Sequence, residues 1–187
     1  MVRRSAQGVA VAVVVALLGL LIWDLARGSG SKVASEVASD KIIPAPPFTK
    51  SRVDTAGKLS LASLRGKVVV LNFWQSYCAP CTQEARTLAD SYRQWQHKDV
   101  VFVGVDEQDL RGPALKFLRR FDITYPIVAD NLSLTGHYGV TGYPETYFID
   151  RRGRIIPAVS EGKVIGHIIG PATTKLLDEN IRKALLT

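Results

Sequence analysis

Hydrophobic and polar positions along the chain form two kinds of pattern, which together predict strands interleaved with helices. The run at 64–74 (LRGKVVVLNFW) ends in β-branched and apolar residues, which is typical of a strand buried on both faces. Residues 79–96 then place apolar side chains at i, i+3, i+4, i+7 and i+10, which defines one face of a helix. A second buried strand is predicted at 100–106 (VVFVGVD), and a second helix at 112–121, with Pro113 in its first turn.

The second half of the chain continues this alternation. Residues 125–130 and 144–150 are apolar segments of strand length. A short segment, 132–139, lies between them. Residues 151–157 and 163–170 are separated by a loop and are predicted to form a hairpin. A final helix is predicted at 173–186 because its apolar residues recur along one side. This alternation predicts an α/β fold, in which helices cover both faces of a sheet.

The N-terminal part of the chain has a different character. Two arginines precede an uncharged apolar run of 16 residues, 8–23, which approaches the length of about 20 residues that spans a bilayer. Arginines before such a run predict that residues 1–23 form a membrane anchor, a transmembrane helix that starts in the cytoplasm. A cleaved signal peptide is the alternative. Residues 24–43 are small and polar and are predicted to be a flexible linker, followed by one folded domain at 44–187.

Charge and cysteine count exclude several function classes. The net charge of +7 is scattered and no nucleic-acid-binding motif accompanies it, so we expect no nucleic-acid partner. Two cysteines are too few for a disulfide-rich scaffold. The three histidines, His97, His137 and His167, do not have the spacing of a zinc site. We therefore expect neither a metal nor another cofactor.

The two cysteines form a C-x-x-C motif, Cys78-Ala79-Pro80-Cys81, where the first predicted strand turns into a helix. A disulfide across so short a loop constrains the unfolded chain little, so a structural role is disfavoured. At the start of a helix, free backbone N–H groups and the helix dipole stabilise a thiolate. The placement therefore predicts redox chemistry, with Cys78 as the exposed nucleophile and Cys81 as the shielded residue that resolves the mixed disulfide. A metal ligand pair and an inert pair are the alternatives.

Two segments resemble a known fold family. VVVLNFWQSYCAPC is similar to the active-site segment of thioredoxin-fold proteins, and VTGYPETYFID to their cis-proline segment. Together with GKLSLASLRGKVVVLNFW, the long stretch 106–140 and the N-terminus, they make the chain resemble the membrane-anchored extracytoplasmic thioredoxins of the TlpA/ResA/CcmG type over about residues 44–186. The resemblance implies a thioredoxin fold, with a central mixed sheet and helices on both faces.

The resemblance assigns roles to individual residues. Cys78 and Cys81 match the redox pair, which forms a disulfide when oxidised. Pro144 matches the cis-proline that faces this disulfide, and Tyr143 before it would offer its backbone to a bound peptide as an added strand. Trp74 matches the aromatic residue beside the active site, where it either contacts the substrate or packs in the core.

Three further positions near the pair carry expectations. Glu84 matches an acidic residue of ResA-like proteins that handles protons at the cysteines, and it is the best nearby general base because Asn72 stands where cytoplasmic thioredoxins carry an aspartate. The alternative for Glu84 is an exposed carboxylate at the helix start. Tyr77 replaces the usual tryptophan before Cys78 and, with Gln75, lines the surface that meets the substrate.

The family resemblance implies an extracytoplasmic thiol–disulfide oxidoreductase held at the cell membrane. A reductant outside the cytoplasm needs electrons from a membrane-embedded donor, and the family suggests a client protein with a cysteine pair, such as apocytochrome c during cytochrome c maturation. A dithiol oxidant or isomerase is one alternative. A peroxiredoxin-like peroxidase is another, although such enzymes carry Thr or Ser where Gln75 stands, three residues before the attacking cysteine.

Overall fold

The structure, a computed structural model, describes residues 13–20 and 32–187. The chain divides into two compact units, Met1–Ser31 and Lys32–Thr187. In the first unit, residues 13–20 are helical. No helix among the described residues has the length and apolarity that crossing a bilayer requires. Half of the apolar run predicted as an anchor, 8–23, lies outside the described residues.

The second unit begins earlier than predicted, with a helix inside the segment expected to be a linker. Helix α1 (Lys32–Ala38) buries Val37 completely, and Val33 one turn earlier packs against the same cluster. This spacing gives a short, mostly polar segment one apolar face. The prediction of a flexible linker over 24–43 is therefore wrong for residues 32–43, while 24–31 lie outside the described residues.

Eleven strands, four further α-helices and one 3-10 helix (Leu61–Leu64) complete the described part of this unit. The strands are β1 (Ile43–Pro44), β2 (Thr49–Ser51), β3 (Lys58–Ser60), β4 (Val68–Trp74), β5 (Val100–Glu107), β6 (Ile127–Asp130), β7 (Glu145–Ile149), β8 (Arg154–Ile156), β9 (Ala158–Ser160), β10 (Lys163–Gly166) and β11 (Ile168–Ile169). The helices are α2 (Ala79–Trp95), α3 (Arg111–Phe121), α4 (Ser133–Tyr138) and α5 (Thr174–Leu186).

The central sheet has the strand order β1-β8-β7-β4-β5-β6, with β11 pairing the first two residues of β7. Strands β4, β5 and β6 are parallel, whereas β7 is antiparallel to β4 and to β8. All residues of β4 are buried, and successive side chains enter two separate clusters, Val68 and Val70 in one and Val69 and Leu71 in the other. Helices α2, α3 and α5 cover the first cluster, and α1 and α4 contribute to the second. The mixed sheet with helices on both faces is confirmed.

One predicted pairing is wrong. Residues 151–157 were expected to form a hairpin with 163–170, but β8 pairs with the preceding strand β7 instead. A tight turn joins β7 to β8, because Asp150 accepts hydrogen bonds from the backbone N–H groups of Arg152 and Arg154, and Gly153 takes a positive φ of 73°. Strand β10 pairs with the short strand β9 that follows β8.

Candidate active site

The two cysteines lie where β4 ends and α2 begins, as the sequence predicts, and they are joined by a disulfide. Cys78 is the N-cap of α2, and its Sγ accepts a hydrogen bond from the backbone N–H of Cys81 at 3.1 Å. The same N–H group and the helix dipole stabilise negative charge on this sulfur when the pair is reduced. The local geometry therefore favours a thiolate at Cys78.

Exposure distinguishes the two sulfur atoms. Cys78 is partly exposed, whereas Cys81 is only 2% exposed and belongs to the core cluster beneath α2. Disulfide exchange requires the attacking sulfur to reach its target in line, so an external protein meets Cys78 first. This asymmetry fits the predicted roles of nucleophile and resolving residue.

The loop before β7 faces the disulfide. The peptide bond between Tyr143 and Pro144 is cis, and the carbonyl oxygen of Tyr143 lies 3.5 Å from Sγ of Cys78. Pro144 itself is buried, and its carbonyl oxygen accepts a hydrogen bond of 2.9 Å from Gly170. The loop thus places a backbone carbonyl group against the sulfur of Cys78.

A buried carboxylate that sequence reasoning missed fixes this loop. Glu145 is fully buried, and its Oε1 accepts hydrogen bonds from Thr141 N, Thr141 Oγ1 and Gly142 N at 2.9, 2.9 and 3.1 Å. Its Oε2 pairs with His167 Nε2 at 3.0 Å, and the imidazole stacks on Tyr147. Although burial opposes ionisation, the hydrogen bonds from His167 and Thr141 lower the pKa of Glu145. An acidic residue directly after the proline was the available signal.

Glu84 lies in the interior, so the alternative of an exposed carboxylate is wrong. The residue is 1% exposed; Asn72 Nδ2 donates to its Oε1 at 2.7 Å, and the backbone N–H of Ala172 donates to its Oε2 at 2.7 Å. Burial raises the pKa of Glu84 to about 7, although both hydrogen bonds act in the opposite direction. One turn past Cys81 on α2, this carboxyl group can therefore both take and release a proton near neutral pH.

Two aspartates lie near the end of β5, and one of them, Asp109, supports the segment just before Cys78. Asp109 Oδ2 accepts the backbone N–H of Ser76 at 2.8 Å. Asp106 is 3% exposed, and burial, followed by the nearby carboxylates of Asp109 and Glu107, raises its pKa to about 8. The sequence signal was the acidic run that ends β5, because the carboxyl ends of parallel strands meet at one edge of a sheet.

The two aromatic residues assigned to the site have different positions. Trp74 is 3% exposed, and its ring stacks on Phe117 of α3 at a centroid distance of 4.6 Å. Of the two roles expected for Trp74, the structure shows core packing, because α3 covers the indole. Tyr77 is 66% exposed directly before Cys78, where it is accessible to a bound protein.

The raised pKa of Asp106 predicts a pH-dependent stability. The folded state holds this proton up to about pH 8, whereas the unfolded chain releases it near 3.8, so the protein loses stability as the pH rises from 5 to 8. We expect Asp106→Asn to remove about 2–4 kcal/mol of that loss. Urea unfolding of the oxidised protein at several pH values measures how the free energy of unfolding depends on pH. The substitution Asp99→Asn, at an exposed aspartate, is the control. An Asp106→Asn profile as steep as that of the parent would contradict the prediction.

Comparison with known proteins agrees with this geometry. The AhpC/TSA family model matches residues 43–157. The thiol-disulfide oxidoreductase ResA of Bacillus subtilis is 31% identical over 150 residues, which cover 79% of each chain. ResA of Bacillus cereus is 29% identical over 140 residues, covering 74% of this chain and 75% of the relative. The structure of a thiol:disulfide interchange protein from Chlorobium tepidum has a TM-score of 0.65 at 27% identity, covering 77% of this chain and 97% of the other.

Proposed function

Because this chain belongs to the AhpC/TSA family and is a thiol-disulfide oxidoreductase of the ResA/DsbE type, we propose that it reduces disulfides of client proteins outside the cytoplasm, with apocytochrome c as the client. One observation carries the proposal: Cys78 is partly exposed at a helix N-terminus and faces the Tyr143 carbonyl, while Cys81 is shielded one turn later. An accessible attacking sulfur beside a peptide-binding backbone is what exchange with a protein requires.

The reaction proceeds through two exchanges. The Cys78 thiolate attacks one sulfur of the client disulfide, which breaks that bond and releases the other client sulfur as a thiolate. Cys81 then loses its proton and attacks Sγ of Cys78, which releases the second client thiolate and forms the Cys78–Cys81 disulfide seen in the structure. The client gains two electrons and the pair loses two. Glu84 is the group that accepts the proton of Cys81, directly or through a water molecule.

The direction of electron flow follows from the compartment. Thiols outside the cytoplasm drift toward oxidation, whereas haem attachment at a C-x-x-C-H segment requires both cysteines reduced. A reductant in that compartment has its disulfide reduced back to the dithiol by electrons from a membrane-embedded donor. We propose that residues 1–23 anchor the domain at 44–187 to the same membrane, which raises the effective concentration of donor and client. A dithiol oxidant would use the same residues in the opposite direction, and an isomerase would rearrange client disulfides with no net transfer of electrons.

Reduction of a model client tests this function. We expect the reduced full-length protein to reduce a disulfide-bonded C-x-x-C-H peptide at least about tenfold faster than glutathione at equal thiol concentration, because the helix N-terminus raises the thiolate fraction of Cys78. Loss of the peptide disulfide, followed by mass spectrometry, measures the rate. A protein that reduces hydrogen peroxide readily but leaves the peptide oxidised would be a peroxidase, and the proposal would be wrong.

A further inference from the structure

The side chain of Tyr143, the residue before the cis-proline, is hydrogen-bonded to a series of polar side chains that the exchange chemistry does not use. Its hydroxyl lies 3.4 Å from Thr135 Oγ1 of helix α4, and Thr135 donates its own hydroxyl proton to Glu107 Oε2 at 2.5 Å. Because that proton is committed to Glu107, the Tyr143 hydroxyl donates to Thr135. The ring of Tyr143 is therefore held from its outer end.

The buried members of this polar series, Glu107 and Asp130, are held by several hydrogen bonds each. Glu107 is fully buried at the end of β5, and its Oε1 accepts the backbone N–H of Leu132, which takes a positive φ of 69°. Burial raises the pKa of Glu107, and the adjacent Asp130 carboxylate adds to this shift. Asp130 is in turn paired with Lys50 of β2 and accepts the N–H of Leu134 at 2.6 Å. Such fully bonded buried groups have little freedom to move.

The residue that these polar groups hold lies beside the reactive sulfur. The carbonyl of Tyr143 is 3.5 Å from Sγ of Cys78, and Tyr77 directly precedes Cys78 along the chain. Tyr143 is partly buried and Tyr77 is 66% exposed, so one ring is held in place and the other stands in solvent. Two aromatic rings next to a nucleophile offer flat faces to a substrate side chain.

We propose that Thr135 and Glu107 are positioning residues that hold the Tyr143 ring as a fixed wall of the client site, selecting polypeptide disulfides with a planar side chain beside the reactive cysteine. The inference rests on the proposed function, since it concerns the client of the same cysteine pair. The planar group is an aromatic ring, an imidazole or a guanidinium, each of which stacks on a phenol. A small aliphatic disulfide lacks such a group and gains nothing from the wall.

Substitutions at Thr135 separate the wall from the chemistry. Thr135→Val keeps the shape of the side chain and removes both hydrogen bonds, so Tyr143 loses its anchor. With the disulfide-bonded C-x-x-C-H peptide and with hydroxyethyl disulfide as substrates, we expect the ratio of peptide KM to hydroxyethyl disulfide KM to rise about three- to tenfold. Thr135→Ser restores the hydroxyl and is expected to restore the ratio. Thr124→Val, at an exposed threonine, is the matched control and leaves both KM values unchanged.

A second variant keeps the test decisive if Thr135→Val does not fold. Tyr143→Phe removes only the hydroxyl that donates to Thr135, and we expect the same rise in the KM ratio. Unchanged KM ratios in Tyr143→Phe, and in Thr135→Val where it folds, would overturn the inference while leaving the proposed function intact. Equal losses with both substrates would also overturn it, because the effect would then lie in the cysteine pair. A parent protein that fails to reduce the peptide overturns the proposed function, and with it this inference.

Discussion

Replacing Cys78 with serine is expected to abolish client reduction, whereas replacing Cys81 with serine is expected to trap the client as a mixed disulfide. A serine hydroxyl at position 78 does not attack a disulfide, so activity falls by on the order of 10³-fold or more. In Cys81→Ser the first exchange still proceeds, because Cys78 keeps its exposure and its position at the start of α2. The second exchange does not occur, because the serine at position 81 has no thiol to attack the mixed disulfide.

Non-reducing electrophoresis of each reduced variant with the C-x-x-C-H peptide disulfide, fused to a carrier protein, detects the adduct. Cys81→Ser is expected to give one dominant band that disappears on addition of dithiothreitol, and Cys78→Ser to give none. The burial of Cys81 is the reason for this difference, since its sulfur is 2% exposed. Equal trapping by the two variants would contradict the assignment of Cys78 as the nucleophile.

Replacing Glu84 with glutamine is expected to slow the second exchange by roughly 10²-fold, the scale of a lost general base. The shielded thiol of Cys81 ionises reluctantly, and Glu84, whose pKa burial raises to about 7, is the acceptor one turn away on α2. In the parent the rate of resolution rises with pH as Glu84 loses its proton near pH 7 and becomes able to accept another. In Glu84→Gln that rise is expected to move toward the pKa of the Cys81 thiol itself.

The measurement is the rate at which the preformed mixed disulfide releases its client between pH 5.5 and 9. The exposed Glu161→Gln is the control for loss of a carboxylate. The glutamine variant is also expected to lose about 1–3 kcal/mol of stability, because one oxygen that accepts from Asn72 or Ala172 is replaced by a donor. If resolution in Glu84→Gln follows the parent at every pH, the proton leaves through solvent.

Much of the fold could be predicted because its signals are local. The apolar run of β4 and the helical spacing of apolar residues in α2 are each visible within a short stretch of sequence. Together they predict that the C-x-x-C motif lies at a strand-to-helix junction. The proline before β7 was identified from the similarity of its short segment to the cis-proline segment of thioredoxin-fold proteins. The main strands and helices and the cysteine pair therefore agree with the structure, whereas the short elements α1 and β9 lie in segments predicted as linker and loop.

The parts that sequence reasoning left open or missed depend on contacts between distant residues. Trp74 is a core residue because Phe117 stacks on it, and Glu84 is buried because Ala172, in the segment before α5, covers it. The same holds for the pairing of Glu145 with His167. No periodicity or motif records which side chain from another element closes over a position, so burial and charge at the site required the structure.

The equilibrium reduction potential of the Cys78–Cys81 pair tests the proposed reductant most directly. It is obtained by incubating the protein in buffers of set dithiothreitol or glutathione ratio and counting free thiols by alkylation and mass. A reductant of client disulfides is predicted to lie near the thioredoxin end of the scale, below about −200 mV. A potential near about −120 mV, where dithiol oxidants lie, would contradict the account, because electrons would then flow from the client to the pair.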